Sequence, residues 1–474
     1  MTSLSSRGYG IPIDDVRVSS VRDTLTVKQN IQFNMGNTDI PTFKVYLESS
    51  KKVYLPKVYG LTEFGLPDVN KIEDGIAISD DLEFTGSLRE NQMEPVQSFL
   101  NAAKNPLIRG GILQLPPGWG KTVMAIHIAI LLKQKTLVVV HKDFLLKQWK
   151  ERIEQYVPMA KIGLYKQNKC ITENCDFVLA SLQTICSRDF KDPSFGLVII
   201  DECHHMGAQV FSQAFHKMNF KYSLGLSATV TRVDGLSKVF KWFIGDVVFK
   251  AKRNKMDENS VNVLMKEFSD TNKAYSLVPT LYNGKPNFSK LLNNVCYFAP
   301  RTDMICDEIC KIMEIDTDRF VIVLSDRRIH LEHIFEGLVN RGMKSDDLGY
   351  YVGGMKSEHL VTSESKRILL GTYNMVSEGF DLPKLDTLIM ASPKSSVEQS
   401  IGRIQRKLAK DRKYTPLVLD IVDNISLFQN QKNKRLAFYK KNGYSVSDGF
   451  KILNDEPVKS MNKGKAMFID TEEY

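Results

Sequence analysis

The run Leu115-Pro116-Pro117-Gly118-Trp119-Gly120-Lys121-Thr122 sets the tightest limit on what this chain can fold into. An apolar stretch (Ile112, Leu113, Leu115) enters it, and an apolar run with helical spacing, residues 123–132, leaves it. A strand that turns through glycines straight into a helix is the first half of a parallel-sheet unit. The turn then sits at a helix N-terminus, where backbone N–H groups and the helix dipole favour an anion and glycine lets the backbone close on phosphate oxygens. In that setting Lys121 reaches the β- and γ-phosphates of a nucleotide and the Thr122 hydroxyl ligates Mg2+. The spelling alone leaves a bland alternative open. Leu115 stands where the strict pattern has a small residue, and Gly-Lys-Thr also occurs in ordinary turns.

The rest of the chain supplies the sheet such a loop needs. Residues 136–140, 196–200 and 222–226 are apolar runs of strand length, the first two β-branched, with helical stretches such as 144–156 between them. Strands buried on both faces read this way, and their alternation with helices argues for a doubly wound α/β domain over 86–248. The same grammar returns over 301–425, with strands expected at 319–324, 367–371, 387–390 and 416–422 and a helix over 396–408. There is no second phosphate loop. Short β-like stretches over 1–85 read as a small β-rich accessory domain, 249–300 as a connector, and 426–474 as a basic tail. A length of 474 residues accommodates about three such domains.

In open parallel sheets chemistry gathers at the carboxyl ends of the strands. Asp201 and Glu202 follow an apolar run there, so Asp201 can hold Mg2+ opposite Thr122 and Glu202 can deprotonate an attacking water. Cys203-His204-His205 invites zinc, but further ligands at workable spacing are lacking. Ser227-Ala228-Thr229 ends another strand, with hydroxyls able to bond the carboxylates or simply to make a turn. Arg403 and Arg406, three apart on the expected helix, can point at one spot and stabilise phosphate charge from the second domain. Residues 394–413 carry seven Lys and Arg against two acids, so a solvated face or a nucleic-acid surface are the alternatives. A net charge of +9 allows a polyanionic partner without identifying one. Seven scattered cysteines point to a reducing compartment, and no apolar run reaches the length of a membrane span.

Taken in order, these pieces resemble a superfamily 2 helicase of the DExH type over roughly residues 86–425. That resemblance implies two tandem RecA-like domains, and in that superfamily Leu115 is unremarkable. It implies that Gln92, in Leu88-Arg89-Glu90-Asn91-Gln92, reads adenine. It further implies that Asp201-Glu202-Cys203-His204 binds metal and couples, that Ser227-Ala228-Thr229 couples, and that Gly379 and Asp381 face ATP. Gln399 is implied to contact water, with Arg403 and Arg406 as finger arginines. More narrowly, the 115–122 spelling, the Asp-Glu-Cys-His-His run and the chain length resemble the transcript-terminating DNA helicases of poxviruses. This implies a DNA-dependent ATPase moving 3′ to 5′, partnered by the viral RNA polymerase elongation complex, in the virion and the infected cytoplasm. An RNA helicase shares the same motor, and an ATP-switched polymerase accessory factor that binds without unwinding is a rival of another class.

Overall fold

The computed structural model describes residues 1–28, 42–116, 118–166, 169–188, 190, 195–203, 206, 208–229, 235–251, 261–377, 380, 382–407 and 411–447. The chain divides into two compact units, Met1–Arg253 and Asn254–Tyr474.

The first unit opens with β1 (Ser3–Ser5), β2 (Gly8–Pro12), β3 (Thr26–Lys28), β4 (Thr42–Lys44), β5 (Leu47–Glu48), β6 (Lys52–Leu55) and β7 (Val69–Asn70). Five of these form a sheet in the order β5-β6-β2-β1-β7, and β3 pairs with β4. This β-rich segment does not stand apart. Val27, Phe43 and Val45 share a core with Phe211, Phe215 and Phe243 of the following α/β layer. His216 presents one ring nitrogen to the Arg7 carbonyl at 2.6 Å and the other to the Val45 carbonyl at 3.1 Å. Lys57 Nζ donates to the Phe220 and Lys221 carbonyls at 2.9 and 3.0 Å.

The main sheet of this unit contains β8 (Gly110–Gln114), β9 (Thr136–Val140), β10 (Ile162–Lys166), β11 (Lys169–Ile171), β12 (Phe177–Ser181), β13 (Leu197–Ile200), β14 (Tyr222–Ser227) and β15 (Val247–Lys250). Their order is β11-β10-β12-β9-β13-β14-β8-β15, parallel except for the antiparallel edge strand β11. Side chains alternate between faces along a strand, so one strand feeds two cores. Leu137 and Val139 enter one apolar cluster while Val138 and Val140 enter the other. That explains the uninterrupted apolar runs in the sequence.

The second unit repeats the plan with β16 (Asn262–Phe268), β17 (Val321–Ser325), β18 (Leu348–Tyr351), β19 (Ile368–Thr372), β20 (Thr387–Met390), β21 (Leu417–Asp423) and β22 (Ser445–Ser447), in the order β18-β19-β17-β20-β21-β16-β22. Ile322 and Leu324 face one core, Val321 and Val323 the other. Two expected segments take structure here. β16, within the expected connector, pairs with β21 over seven residues. The start of the expected tail forms the helix Ser426–Lys441 and then β22, which pairs with β16. Arg435 of that helix donates Nε to Asp420 Oδ2 at 2.8 Å, and Tyr439 donates to the same oxygen at 2.8 Å.

His330 lies wholly buried behind β17, its Nδ1 3.0 Å from the Ser325 hydroxyl. Burial, reinforced by the Arg301 charge, holds its pKa well below the usual value. The unfolded chain therefore takes up a proton near pH 6.5 that the folded unit refuses. Stability from this group is complete above pH 6.5 and declines as the pH falls. Between pH 7.5 and 5.0, wild type should lose about 2 kcal/mol more than His330→Gln in urea unfolding. Equal losses would mean that the folded unit protonates His330.

Candidate nucleotide site

The loop after β8 is set by two glycines. Gly118 and Gly120 have φ of +83° and +77°, and Gly120 precedes the helix Lys121–Leu132. The left-handed conformation favours glycine at 120, and a Cβ there would lie 2.4 Å from Gln92 Nε2 and push that side chain aside. The loop is braced from outside by the start of helix Glu90–Lys104. Gln92 Nε2 donates to the Trp119 carbonyl at 2.7 Å and Arg89 Nη2 donates to the Gly118 carbonyl at 3.1 Å. Gln92 Oε1 accepts from the Arg89 backbone N–H at 2.8 Å. Leu115 is fully buried, and its N–H donates to the Ser227 carbonyl at 2.8 Å. Pro117 lies outside the described residues, between Pro116 and Gly118.

One strand, β14, separates the loop strand β8 from the carboxylate strand β13. Two strand spacings are about 9.5 Å, a gap that a lysine and a glutamate side chain bridge together. Lys121 Nζ lies 2.5 Å from Glu202 Oε1, with both side chains largely shielded from solvent. Glu202 adopts φ +46°, a left-handed conformation unusual outside glycine and typical of strained functional turns. Asp201 is buried and accepts from the Trp149 indole at 2.8 Å. Burial, with the Glu202 charge beside it, raises its pKa despite Lys121. Two shielded carboxylates thus lie beside the Lys121 ammonium. Paired carboxylates of this kind suit a divalent cation, which Asp201 and the Thr122 hydroxyl could hold together with nucleotide phosphates. Mg2+ is commonly bound by one or two protein ligands plus phosphate in this way.

Cys203 is buried, and burial with the nearby Glu202 pushes its thiol up to about 12. A thiol so firmly protonated is a poor zinc ligand, and His205, like its neighbour His204, lies outside the described residues. Ser227 Oγ donates to the Thr229 carbonyl and lies close to the Cys203 thiol. The Ser227-Ala228-Thr229 segment therefore touches the loop strand through its backbone and the residue after Glu202 through its side chain. Ala228 is buried. At the neighbouring strand ends, Ser181 caps the helix Leu182–Ser187 and Gln183 Nε2 donates to the His141 carbonyl at 3.1 Å. Trp149 and Arg89 were not singled out from the sequence. Trp149 keeps helical register with Leu145, Leu146 and Ile153, so it reads as core, and only an indole N–H needing an acceptor hints at more.

In the second unit the helix spans Glu398–Ile404, not 396–408. Arg412 folds back to donate to the carbonyls of Gln405 at 3.3 Å and Lys407 at 2.9 Å, satisfying groups exposed where the helix ends. Arg406 lies beyond that end, so the argument from three-residue helical spacing with Arg403 fails. The two arginines also differ in setting. Arg403 is buried and donates Nη1 to the Phe380 carbonyl at 2.6 Å, whereas Arg406 and Gln399 are half-buried. Gly379 and Asp381 lie outside the described residues.

Residues 85–232 match a family model described as Type III restriction enzyme, res subunit. The chain is 33% identical over 463 residues to the candidate ATP-dependent RNA helicase L396 of Acanthamoeba polyphaga mimivirus, covering 94% of this chain and 86% of that protein. It is 27% identical over 367 residues to the candidate helicase D10 of Escherichia phage T5, covering 75% of this chain and 76% of the relative. Among solved structures, Saccharomyces cerevisiae Dbp5 bound to RNA and ADP BeF3 aligns with a TM-score of 0.50 at 12% identity, covering 76% of this chain and 94% of that one. At that identity the likeness concerns the fold, two tandem RecA-like domains.

Proposed function

The chain belongs to the superfamily 2 helicases, and we propose that it is a DExH-type member that moves 3′ to 5′ along DNA and releases nascent transcripts from a viral RNA polymerase elongation complex. As a family member it is an ATP-dependent helicase acting on nucleic acid. The observation that carries the assignment of its motor is the 2.5 Å pairing of Lys121 with Glu202, beside buried Asp201 at the mouth of the glycine loop.

In the proposed cycle, ATP phosphates enter the loop and draw Lys121 away from Glu202. Glu202 is then a carboxylate without its lysine, placed to take the proton of the attacking water. Asp201 and Thr122 would hold Mg2+, which would supply positive charge against the charge developing on the phosphate. Gln92 reads adenine, Gly379 and Asp381 line the nucleotide, and Gln399 orients water. Arg406 is the finger arginine that stabilises γ-phosphate charge, while Arg403 holds the Phe380 carbonyl. Ser227 relays loop position to the carboxylate turn.

The DNA and transcript-release parts rest on the spelling of residues 115–122 and 201–205. An RNA substrate is favoured instead by the name of the mimivirus relative, and the virion and infected cytoplasm follow from the viral setting proposed here. Steady-state ATPase measured with single-stranded DNA and with RNA, alongside strand displacement on duplexes of defined overhang, separates the readings. We expect DNA to stimulate turnover at least about tenfold and a 3′ overhang to be required. Stimulation by RNA alone would replace the DNA assignment. Nucleotide-dependent binding without displacement would make the protein an ATP-switched accessory factor.

A further inference from the structure

Residues 271–297 carry Lys273, Lys285 and Lys290 and no acid. Within this stretch a tight loop projects between the helices Lys273–Ser276 and Phe288–Cys296. Its base is closed by the Asn287 N–H on the Pro279 carbonyl at 2.7 Å and an antiparallel bridge between Thr280 and Pro286. Its tip is closed by the Leu281 N–H on the Lys285 carbonyl at 2.7 Å and Gly284 in a left-handed turn, φ +75°. Tyr282 crowns the tip and is fully exposed.

The loop stands on a buried foundation. Tyr275, Leu291 and Val295 pack with Phe298, Ile425 and Phe428. Tyr275 donates its hydroxyl to Asp423 Oδ1 at 3.0 Å, the carboxylate that also pairs with buried Arg301 at 2.6 Å. Arg327 donates to Asn293 Oδ1 at 2.6 Å and to the Ser289 hydroxyl at 3.2 Å. Asp423 ends β21 and Arg327 follows the end of β17, so the insertion is fastened at the carboxyl edge of the sheet, where ligands of open α/β domains bind.

A single exposed aromatic needs no explanation by itself. One held at the tip of a fixed loop, in a stretch whose charged residues over 271–297 are all lysines, has the parts of a single-strand contact: a π face for a base and ammonium groups for phosphates. We propose that residues 279–287 contact single-stranded nucleic acid, Tyr282 stacking on an unpaired base while Lys285 and Lys290 engage the backbone. This rests on the helicase reading above and adds to it a contact outside the motor motifs.

The test uses the full chain and matched DNA and RNA oligonucleotides carrying 2-aminopurine, whose fluorescence is quenched on stacking. Wild type and Tyr282→Phe should quench the probe on at least one of the two strands. Tyr282→Ala should quench neither and should bind about tenfold more weakly, the order of one base–aromatic stack. Because the ring is fully exposed at the tip, its removal should leave the melting temperature unchanged. Reversing both Lys285 and Lys290 to Glu should flatten the slope of log affinity against log salt by at least about 1.4. Tyr282→Ala that quenches and binds like wild type, Tyr282→Phe that fails like alanine, or no quenching on either strand would overturn the stack. Wild-type turnover that no nucleic acid stimulates would instead overturn the helicase reading.

Discussion

Lys121→Ala is expected to lower ATP turnover by at least about 10³-fold, the largest effect of any single substitution in the first unit. The side chain does two things that no neighbour can replace. Its ammonium is the positive charge paired with Glu202 at 2.5 Å, and it is the group on the loop helix placed to meet the β- and γ-phosphates. Removing it costs the transition state a charge-assisted contact in a shielded site, where such contacts are strongest. It also removes the ammonium beside Asp201 and Glu202, which should drive one of them toward protonation. The two losses act on one step. Combining Lys121→Ala with Glu202→Gln should therefore cost little more than either alone, as residues acting as a unit are not additive. Phosphate release under saturating ATP and nucleic acid measures all three variants. Lys121→Ala retaining more than a tenth of wild-type turnover, or a double variant showing the full product of both losses, would break this account.

How far the site was legible from residues alone follows from how local each signal is. The glycine loop, the carboxylates after β13 and the Ser-Ala-Thr after β14 are each written in a strand-then-turn pattern a few residues long. The β-branched runs that feed two cores are equally local, so both parallel sheets were readable. What was not readable depends on contacts between distant segments. Nothing near Trp149 announces that its indole will meet Asp201, 52 positions away. Nothing in residues 1–85 shows that Arg7 and Val45 will turn their carbonyls toward His216. β16 and β22 have ordinary strand patterns, but their membership of the second sheet is decided by pairing with each other and with β21. The helix after β20 was read too long because propensity carries Gln405 to Leu408 onward, whereas the carbonyls of Gln405 and Lys407 are taken by Arg412. A guanidinium returning from several residues downstream overrides local preference.

That early helix end separates two arginines that the sequence presents as equals, and it sets the second large effect. Arg406→Ala is expected to reduce turnover about 10³-fold while ATP affinity changes less than about threefold, because a finger acts on charge that develops only in the transition state. Arg406→Lys should rescue little, since a point charge does not reproduce the planar fork. Arg403→Ala should behave differently. Arg403 is buried and holds the Phe380 carbonyl at 2.6 Å, so its loss removes a buried charge-assisted hydrogen bond and loosens the packing around Phe380. We expect this variant to lower the melting temperature by several degrees, and turnover with it, whereas Arg406→Ala should melt like wild type. Binding of a fluorescent ATP analogue, steady-state turnover and thermal unfolding, measured on all three variants, distinguish the roles. Full turnover in Arg406→Ala would remove it from the site. Wild-type melting with turnover lost in Arg403→Ala would make Arg403 the finger, which would require its guanidinium to leave Phe380 when nucleotide binds.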